Sequence, residues 1–199
     1  AILALKRQNL VLMEQVHGRR IKVVNKEHRG QIIPGMDGLL TSEKGLILGV
    51  NTADCLPLLF YDPVAQLAGV AHAGWKGILK RIPQKMIELM IRLGSLPEDI
   101  QVGVGPHIGG CCYSVEKNFA ERFKQEFGLL KGMIKKKSGQ IYLALAIPAR
   151  WQLTSLGILA KNLEFSGVCT SCRNKEFFSK RKDKPETYGG QLGVISLIK

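Results

Sequence analysis

The sequence predicts one globular domain that mixes α-helices with β-strands. Of its 199 residues, 45% are hydrophobic and 23% are charged, a balance typical of folded rather than disordered chains. Short apolar runs bounded by turn residues indicate strands, while apolar residues at spacings of three and four indicate amphipathic helices. A chain of this length can bury a substantial core, so we expect one domain with at most a small appendage.

The first predicted elements lead up to a β-hairpin. A helix tail is predicted at residues 1–8, and strands are predicted at residues 10–16, 21–24 and 46–50. The sequence QVHG closes the first strand and makes His17 a candidate ligand, although a lone histidine in this position is more often structural. Asp37-Gly38 predicts a turn before the next apolar pair.

The hairpin itself is the most informative stretch of the chain. Apolar runs at residues 56–61 and 67–71 flank the sequence DPVA, which is typical of a type I turn. A hairpin centred between Pro63 and Val64 places Cys55 opposite His72, with Cβ atoms about 4.5–5.5 Å apart. We therefore expect a thiol and an imidazole to meet at the open end of this hairpin.

Helices alternate with short strands after the hairpin. Residues 75–93 carry one apolar face, which Pro83 should bend or delay. Residues 115–127 form a second predicted helix, ended by Gly128. A third helix opens at Pro148 and ends near Gly157. The remaining predicted strands are residues 100–104, 141–145 and 191–198.

The expected pair of Cys55 and His72 supports two kinds of chemistry. The imidazole can lower the pKa of the thiol and make it a nucleophile, or both groups can bind zinc. They can equally be a buried cysteine and a hydrogen-bonded core histidine that happen to be neighbours. The polar NTAD segment before Cys55 and the glycines of GWKG after His72 favour a site.

Two further motifs stay open on the residues alone. Residues 103–112, GVGPHIGGCC, are too rich in glycine for a regular element, and they can present amides to an anion or let two layers pack. Cys169 and Cys172 form a CxxC that can be half a zinc knuckle with Cys111-Cys112, a redox pair or simple packing. Because adjacent cysteines chelate poorly, we expect packing or lining of a substrate pocket.

Charge and cysteine content narrow the function classes. The net charge of +13 suits an anionic substrate. The basic residues lie in local runs without a recognition motif, so nucleic acid is not an expected partner. No apolar run reaches the length of a membrane span, and an odd count of five cysteines indicates a reducing compartment. We expect a cytoplasmic protein.

Taken together, QVHG, DGLLT, NTADCLPLLFYDP, GVAHAGWKG, GVGPHIGGCCYSV and CTSC followed by FFS resemble the laccase-domain family. This family was long labelled multicopper polyphenol oxidase, and its bacterial members are also called peptidoglycan editing factors. The motifs occur in the expected order across nearly the whole chain. The resemblance implies one domain over residues 1–199, without the family's N-terminal segment, in an α+β fold of four layers, α/β/β/α, with mixed sheets.

The resemblance also implies a metal and an activity. His17, Cys55 and His72 would hold one ion and leave a fourth position for water, as catalytic zinc sites do. Zinc is expected rather than copper, because four histidines cannot furnish the several copper sites of a true laccase. Family members resemble zinc-dependent purine nucleoside phosphorylases that also deaminate adenosine and cleave methylthioadenosine. Purine nucleosides and phosphate are therefore the expected partners.

The remaining site residues follow from the same resemblance. The catalytic residues would be Asp54 as acid and base, with Cys55 and His72. The substrate-binding residues would be Gln15, Asn51, Lys76, Gly105 and Arg173. Gln15 and Asn51 would bind the nucleoside or support the ligands, and the other three would hold phosphate. Many members have arginine in place of Lys76 and Gly190, which leaves substrate preference open.

Two rival functions use the same residues differently. In a Cys–His hydrolase, Cys55 would be the nucleophile and His72 the base, acting on an amide of a cell-wall precursor. In a non-enzymatic scaffold, zinc would serve only to keep the chain folded.

Overall fold

A computed structural model describes residues 6–187 and 189–198. Within these ranges the α-helices are α1 Trp75–Leu79, α2 Ile82–Arg92, α3 Lys117–Phe127 and α4 Ala146–Thr154. The β-strands are β1 Leu10–Met13, β2 Ile21–Val23, β3 Ile32–Ile33, β4 Gly38–Thr41, β5 Ile47–Thr52, β6 Leu56–Asp62, β7 Leu67–Ala73, β8 Gln101–Val104, β9 Ser114–Val115, β10 Ile134–Lys137, β11 Gln140–Leu143, β12 Leu163–Phe165 and β13 Gln191–Ser196.

The strands form two large sheets and one small one. The larger sheet has six strands in the order β12-β8-β6-β7-β4-β2, and the second has four in the order β13-β5-β1-β3. Both sheets are mixed. In the six-stranded sheet, β2 runs parallel to β4 and β6 runs antiparallel to β7. In the four-stranded sheet, β1 runs parallel to β5 and β13 runs antiparallel to β5. The predicted α+β class with mixed sheets is confirmed.

Two clusters of buried apolar side chains separate the layers. The larger cluster lies between the six-stranded sheet and the helices and includes Leu58, Met86 and Phe123. The second joins the two large sheets and includes Leu48 and Val70. Strand β7 is buried along its whole length, because its alternating side chains face the helices on one side and the second sheet on the other. Its apolar sequence therefore fixes the centre of the molecule.

The four described helices all contribute side chains to the larger cluster. The layers that these elements form are therefore helix, six-stranded sheet and four-stranded sheet. This order places the ends of β1, β5 and β7 close together where the two sheets meet, which is the region that carries the candidate site.

The predicted β-hairpin is present, but its register is shifted by two residues. Pro57, rather than Cys55, pairs with His72. The loop is longer than predicted because the Asp62 carboxylate accepts hydrogen bonds from two loop amides at 2.8 Å and Gln66 adopts a left-handed φ of 52°. A shift of two keeps each side chain on its original face. Cys55 therefore stays a diagonal neighbour of His72.

The predicted break at Pro83 is confirmed. Helix α1 ends at Leu79 and α2 begins at Ile82, with Pro83 in the first turn, where a missing N–H is tolerated. Between them Arg81 takes a left-handed φ of 64°. The helix predicted to end at Gly128 does so, with a positive φ of 68° at the glycine.

The predicted helix tail at residues 1–8 has a different outcome. Residues 1–5 lie outside the described residues, and Arg7–Asn9 form a single 3-10 turn. Among the helices of the described ranges, none combines the length and apolarity that crossing a bilayer requires.

Candidate metal centre

Three side chains from separate elements converge at one edge of the two sheets. His17 follows β1, Cys55 lies between β5 and β6, and His72 is in β7. One ligand atom from each lies within 4.8 Å of the other two. The imidazole rings meet edge to face, with centroids 4.6 Å apart. The structure thus brings together the thiol and the two imidazoles that the sequence motifs single out.

The local backbone explains how these groups approach one another. His17 and Asp54 both adopt left-handed φ values, 56° and 87°, which turn the chain sharply at His17 and just before Cys55. Gly74, which precedes α1, has no side chain to intrude. A Cβ there would lie 2.8 Å from Cys55 Sγ and 3.1 Å from the His17 ring. The glycine of HAGW therefore allows Cys55 and His17 to approach each other.

A buried carboxylate orients His72. Asp37 Oδ1 lies 2.9 Å from His72 Nδ1, and both side chains are almost fully buried. The other oxygen, Oδ2, accepts the amide of Gly18 at 2.7 Å, and the Asp37 carbonyl accepts the His72 amide. With Nδ1 donating to the carboxylate, Nε2 is the nitrogen left to bind a metal. Sequence reasoning missed this role, because Asp37-Gly38 also satisfies the pattern of a turn.

The groups shift one another's proton affinities. Burial raises the pKa of the Cys55 thiol, but hydrogen bonds and charge from His17 and His72 outweigh it and lower that pKa to about 7. Burial lowers the pKa of His72, yet Asp37 and Cys55 raise it to about 9. Burial likewise raises the pKa of Asp37, while its hydrogen bonds lower it overall. The site thus favours a thiolate and a carboxylate facing positive charge.

The donor set suits a borderline-soft cation. Zinc binds thiolate sulfur and imidazole nitrogen, and catalytic zinc sites have three protein ligands. His17, Cys55 and His72 supply two nitrogens and one sulfur. A cation bound there would balance the thiolate in place of the protons, and the Asp37 contact is typical of metal-binding histidines. The residues present therefore suit a metal ion of this class.

The three groups line a cavity large enough for a small molecule. Its volume is about 400 Å³, within the usual range of ligand pockets. The residues around it are Gln15, His17, Asn51, Thr52, Ala53, Cys55, His72, Lys180, Gly189 and Gly190. Lys180 places a cation on this wall. Sequence reasoning read it as part of a solvated basic run, and nothing in the pattern marked it out from its neighbours.

The Gln15 side chain is held in place on the cavity wall by the backbone of Asn51. The Gln15 side-chain amide donates to the Asn51 carbonyl at 2.8 Å and accepts the Asn51 amide at 2.9 Å. Gln15 thereby joins the segment after β1 to strand β5, next to two of the ligands. The Asn51 side chain lies against Gly190, where a Cβ would come within 2.1 Å of its oxygen.

Asp54 precedes Cys55 but does not line the cavity. Its Oδ1 accepts the Thr170 hydroxyl at 2.7 Å, and its Oδ2 accepts the backbone amide of Arg181, also at 2.7 Å. Its carbonyl accepts the amide of Ile108. These contacts fix the carboxylate between two loops beside the triad.

Lys76, Gly105 and Arg173 are not among the residues around the cavity. Lys76 lies over the Trp75 ring, 5.4 Å from its centroid, and Arg173 is paired with Glu176. The Gly105 carbonyl accepts a hydrogen bond from His107 at 2.8 Å. Close packing explains Gly105 and Gly110 in this loop.

That packing is seen along the loop. A Cβ at Gly105 would come within 2.9 Å of Pro57, and one at Gly110 within 2.8 Å of Ala144. Of the two readings open from the sequence, the structure therefore favours the one in which glycine lets two layers approach.

The CxxC meets the adjacent cysteines, as the zinc-knuckle interpretation of the sequence requires, and it does not line the cavity as the expected pocket-lining role would. Cys111, Cys112, Cys169 and Cys172 lie together, with all four sulfurs within 4.8 Å of one another. Adjacent cysteines diverge in a strand, but Gly110–Cys112 form a turn, so both thiols can face the same side. The four side chains do not line the cavity described above.

Comparison with known proteins agrees with this geometry. Residues 1–198 match the family described as multi-copper polyphenol oxidoreductase laccase. The chain is 37% identical over 203 residues to purine nucleoside phosphorylase YlmD of Geobacillus stearothermophilus, covering 97% of this chain and 74% of the relative. It is 32% identical over 183 residues to adenosine deaminase RL5 of an unknown prokaryotic organism, covering 87% and 70%.

A solved structure shows the same fold. The crystal structure of YlmD from Geobacillus stearothermophilus superposes with a TM-score of 0.91 at 36% identity, covering 98% of this chain and 76% of that one. Likeness of this extent, in sequence and in structure, identifies the chain as a member of the multi-copper polyphenol oxidoreductase laccase family.

Proposed function

We propose that this protein is a zinc-dependent purine nucleoside phosphorylase that also deaminates adenosine and cleaves methylthioadenosine. The observation that carries the proposal is the convergence of His17, Cys55 and His72 on the wall of a cavity of about 400 Å³. Relatives named purine nucleoside phosphorylase and adenosine deaminase support the reaction classes. Both reactions act on the same substrate, at the ribose C1′ or at the purine C6.

Zinc is the ion that we propose for the triad. When bound, it supplies Lewis-acid chemistry, polarising a substrate oxygen or making water nucleophilic near neutral pH. The donor set of two imidazoles and one thiolate matches zinc. The family name implies several coppers, but His28 is hydrogen-bonded to Asn25, and His107 is buried against the Gly105 carbonyl. Neither histidine lies in a cluster with the triad that could bind additional copper ions.

Gln15, Asn51 and Lys180 would bind substrate. The Gln15 side chain is held against the Asn51 backbone, so Gln15 can orient a nucleoside with little loss of rotamer entropy on binding, and the Asn51 side-chain amide supplies further polar atoms on the same wall. Lys180 is the proposed phosphate ligand because it borders the cavity, and lysine serves as a point charge for phosphate. It is a better candidate than Lys76, Gly105 or Arg173, which lie outside the lining.

Asp54 remains the proposed acid–base residue. Its carboxylate is held by Thr170 and by the amide of Arg181, and it directly precedes the ligand Cys55. A proton held there would reach a leaving purine or amino group after a small movement of the cavity wall, as catalytic hydrogen bonds often tighten only with substrate bound. If Asp54 has this role, we expect Asp54→Asn to remove one limb of the pH–rate profile and to leave the zinc content unchanged.

The most direct test incubates the purified protein with adenosine, with and without phosphate and with and without a zinc chelator. We expect inosine without phosphate, and adenine or hypoxanthine with ribose 1-phosphate when phosphate is present. Chelation should abolish all of these products, and added zinc should restore them. The proposal would be overturned if the zinc-loaded protein converted no purine nucleoside.

The Cys–His hydrolase is distinguished in the same samples. The lowered pKa of Cys55 favours a reactive thiolate, so alkylation is informative. Amide hydrolysis that survives chelation and stops on alkylation of Cys55 would support the hydrolase.

All five cysteines are free thiols, which supports a reducing compartment and hence our expectation of a cytoplasmic protein.

A further inference from the structure

We propose that Cys111, Cys112, Cys169 and Cys172 form a second metal site, which binds one zinc ion through four thiolates and has a structural role. The sulfurs lie within 4.8 Å of one another. The site is distinct from the triad of His17, Cys55 and His72, and it does not depend on the proposed function.

The spacing of the sulfurs suits a single tetrahedral ion. A zinc–sulfur distance of about 2.3 Å requires sulfurs about 3.8 Å apart at the corners of a tetrahedron. Cys112 Sγ and Cys172 Sγ are 3.3 Å apart, and Cys111 Sγ and Cys172 Sγ are 3.6 Å apart. Since no pair exceeds 4.8 Å, only small movements separate this arrangement from zinc coordination.

The backbone around the cysteines is built for sulfur ligands. The amide of Gly109 donates to Cys169 Sγ at 3.2 Å, and the CxxC turn brings Cys172 back beside it. On the other side, the amides of Cys112 and Tyr113 both donate to the Gly109 carbonyl, which closes the turn that carries the adjacent cysteines. A Cβ at Gly109 would come within 3.3 Å of the Cys169 side chain. The close approach therefore depends on glycine.

Packing alone does not account for these four residues. Unpaired cysteines are usually buried as small apolar side chains, but Cys111 and Cys172 are exposed. The cysteines are also not joined as disulfides, because the two short sulfur separations, 3.3 and 3.6 Å, are well beyond a bond of about 2.05 Å. A metal ion uses all four sulfurs at once.

Four protein ligands leave no open position, which is the mark of a structural zinc site. The ion would tie the loop at residues 105–113 to residues 168–173. Thr170, between the two CxxC cysteines, donates to Asp54 Oδ1 at 2.7 Å. The site would therefore hold the loop that positions Asp54 beside the triad.

Metal content of the full chain tests this inference. Protein purified anaerobically with zinc and without chelator should contain two zinc ions per chain after desalting. Cys172→Ser and His17→Ala should each retain one, and the double variant none. Cys172→His should keep two, because imidazole is also a zinc ligand. Since no nucleoside is used, the result is independent of the proposed activity.

Cobalt substitution provides a readout that does not depend on a variant of the cysteines. His17→Ala loaded with Co²⁺ should show the intense thiolate-to-cobalt absorption of a four-sulfur tetrahedral site. The inference would be overturned if the wild-type protein contained one zinc ion per chain and His17→Ala contained none. So would cobalt-loaded His17→Ala without that absorption, or a disulfide among the four cysteines in anaerobically purified protein.

Discussion

Among single residues, Asp37 controls the triad without being a ligand. It is fully buried, and its two carboxylate oxygens accept hydrogen bonds from His72 on one side and from Gly18 on the other. The segment that carries His17 and the strand that carries His72 are therefore fixed by one side chain. An amide cannot replace it, because in either orientation its NH₂ group would face an N–H donor, that of Gly18 or that of His72 Nδ1.

We predict that Asp37→Asn weakens zinc binding at the triad by about 10- to 100-fold, the usual effect of losing a carboxylate behind a ligating histidine. Competition with a chromophoric chelator measures the affinity. Asp62→Asn is the matched control, because Asp62 is equally buried but accepts hydrogen bonds only from loop amides of the hairpin. Equal affinities for zinc in the two variants would show that Asp37 does not orient His72.

Lys180 offers a prediction that separates the two reactions. If it binds phosphate, Lys180→Gln should raise the KM for phosphate about 10- to 100-fold, since a hydrogen bond to a charged group contributes about 1.5–3 kcal/mol. Deamination uses no phosphate and should keep its kcat/KM. Steady-state kinetics of both reactions on adenosine provide the measurement.

The controls for Lys180 are other lysines. Lys182 belongs to the same basic run and Lys76 was the sequence-based candidate, and neither lines the cavity. Lys182→Gln should leave the KM for phosphate unchanged. A larger effect in Lys76→Gln than in Lys180→Gln would instead favour the phosphate site expected from the family resemblance.

Sequence patterns identified the side chains with unusual chemistry but not their partners. Local context sufficed to single out Cys55 and His72, whereas the place of His17 beside them came from the family resemblance. Asp37 and Lys180 have ordinary surroundings in the sequence, since Asp-Gly also predicts a turn and a lysine run is usually solvated. Their roles come from contacts between segments far apart in the chain.

At the scale of elements, the start of α1 sets the space available to the triad. Gly74 has an ordinary φ of −74°, so alanine would not strain the backbone. The added Cβ would instead lie 2.8 Å from Cys55 Sγ. Its effect should therefore fall on the metal site and not on the helix.

We predict that Gly74→Ala weakens zinc binding at the triad by roughly 5- to 150-fold, which corresponds to an overpacking cost of about 1–3 kcal/mol. Circular dichroism should show an unchanged fold, and zinc titration should show the loss. Gly103→Ala is the control, because no atom of the described residues lies within 4 Å of a Cβ there. Full zinc affinity in Gly74→Ala would mean that the ligands move apart at no cost.

The hairpin shows how far local patterns determine an element. Alternation and the Asp-Pro pair located both strands correctly, because these signals depend on neighbours in sequence. The register depended on the left-handed backbone conformation of Gln66. Residues other than glycine rarely adopt this conformation, so the local sequence did not indicate it. The pairing of Cys55 and His72 was misplaced by two residues, yet the parity of the strand kept them on one face.

At the scale of the whole molecule, the triad spans the two large sheets. His17 follows a strand of the four-stranded sheet, and His72 lies in the six-stranded sheet. The cysteine cluster likewise joins loops that the sequence places far apart, which is why local patterns suggested packing instead. Both clusters depend on how the layers stack. The order of the layers was predicted from the family resemblance and not from the periodicity of the sequence.

An ion that bridges the two sheets should stabilise the native state, because the unfolded chain does not hold the three ligands together. At free zinc about 100 times the dissociation constant, the gain is about 2.7 kcal/mol, or a rise in Tm of roughly 5–10 °C for a domain of this size. Calorimetry of the apo and zinc-loaded protein measures it. His17→Ala keeps the four cysteines, so the part of the rise that it loses belongs to the triad. A Tm that rises equally in wild type and His17→Ala would show that the triad does not hold the two sheets together.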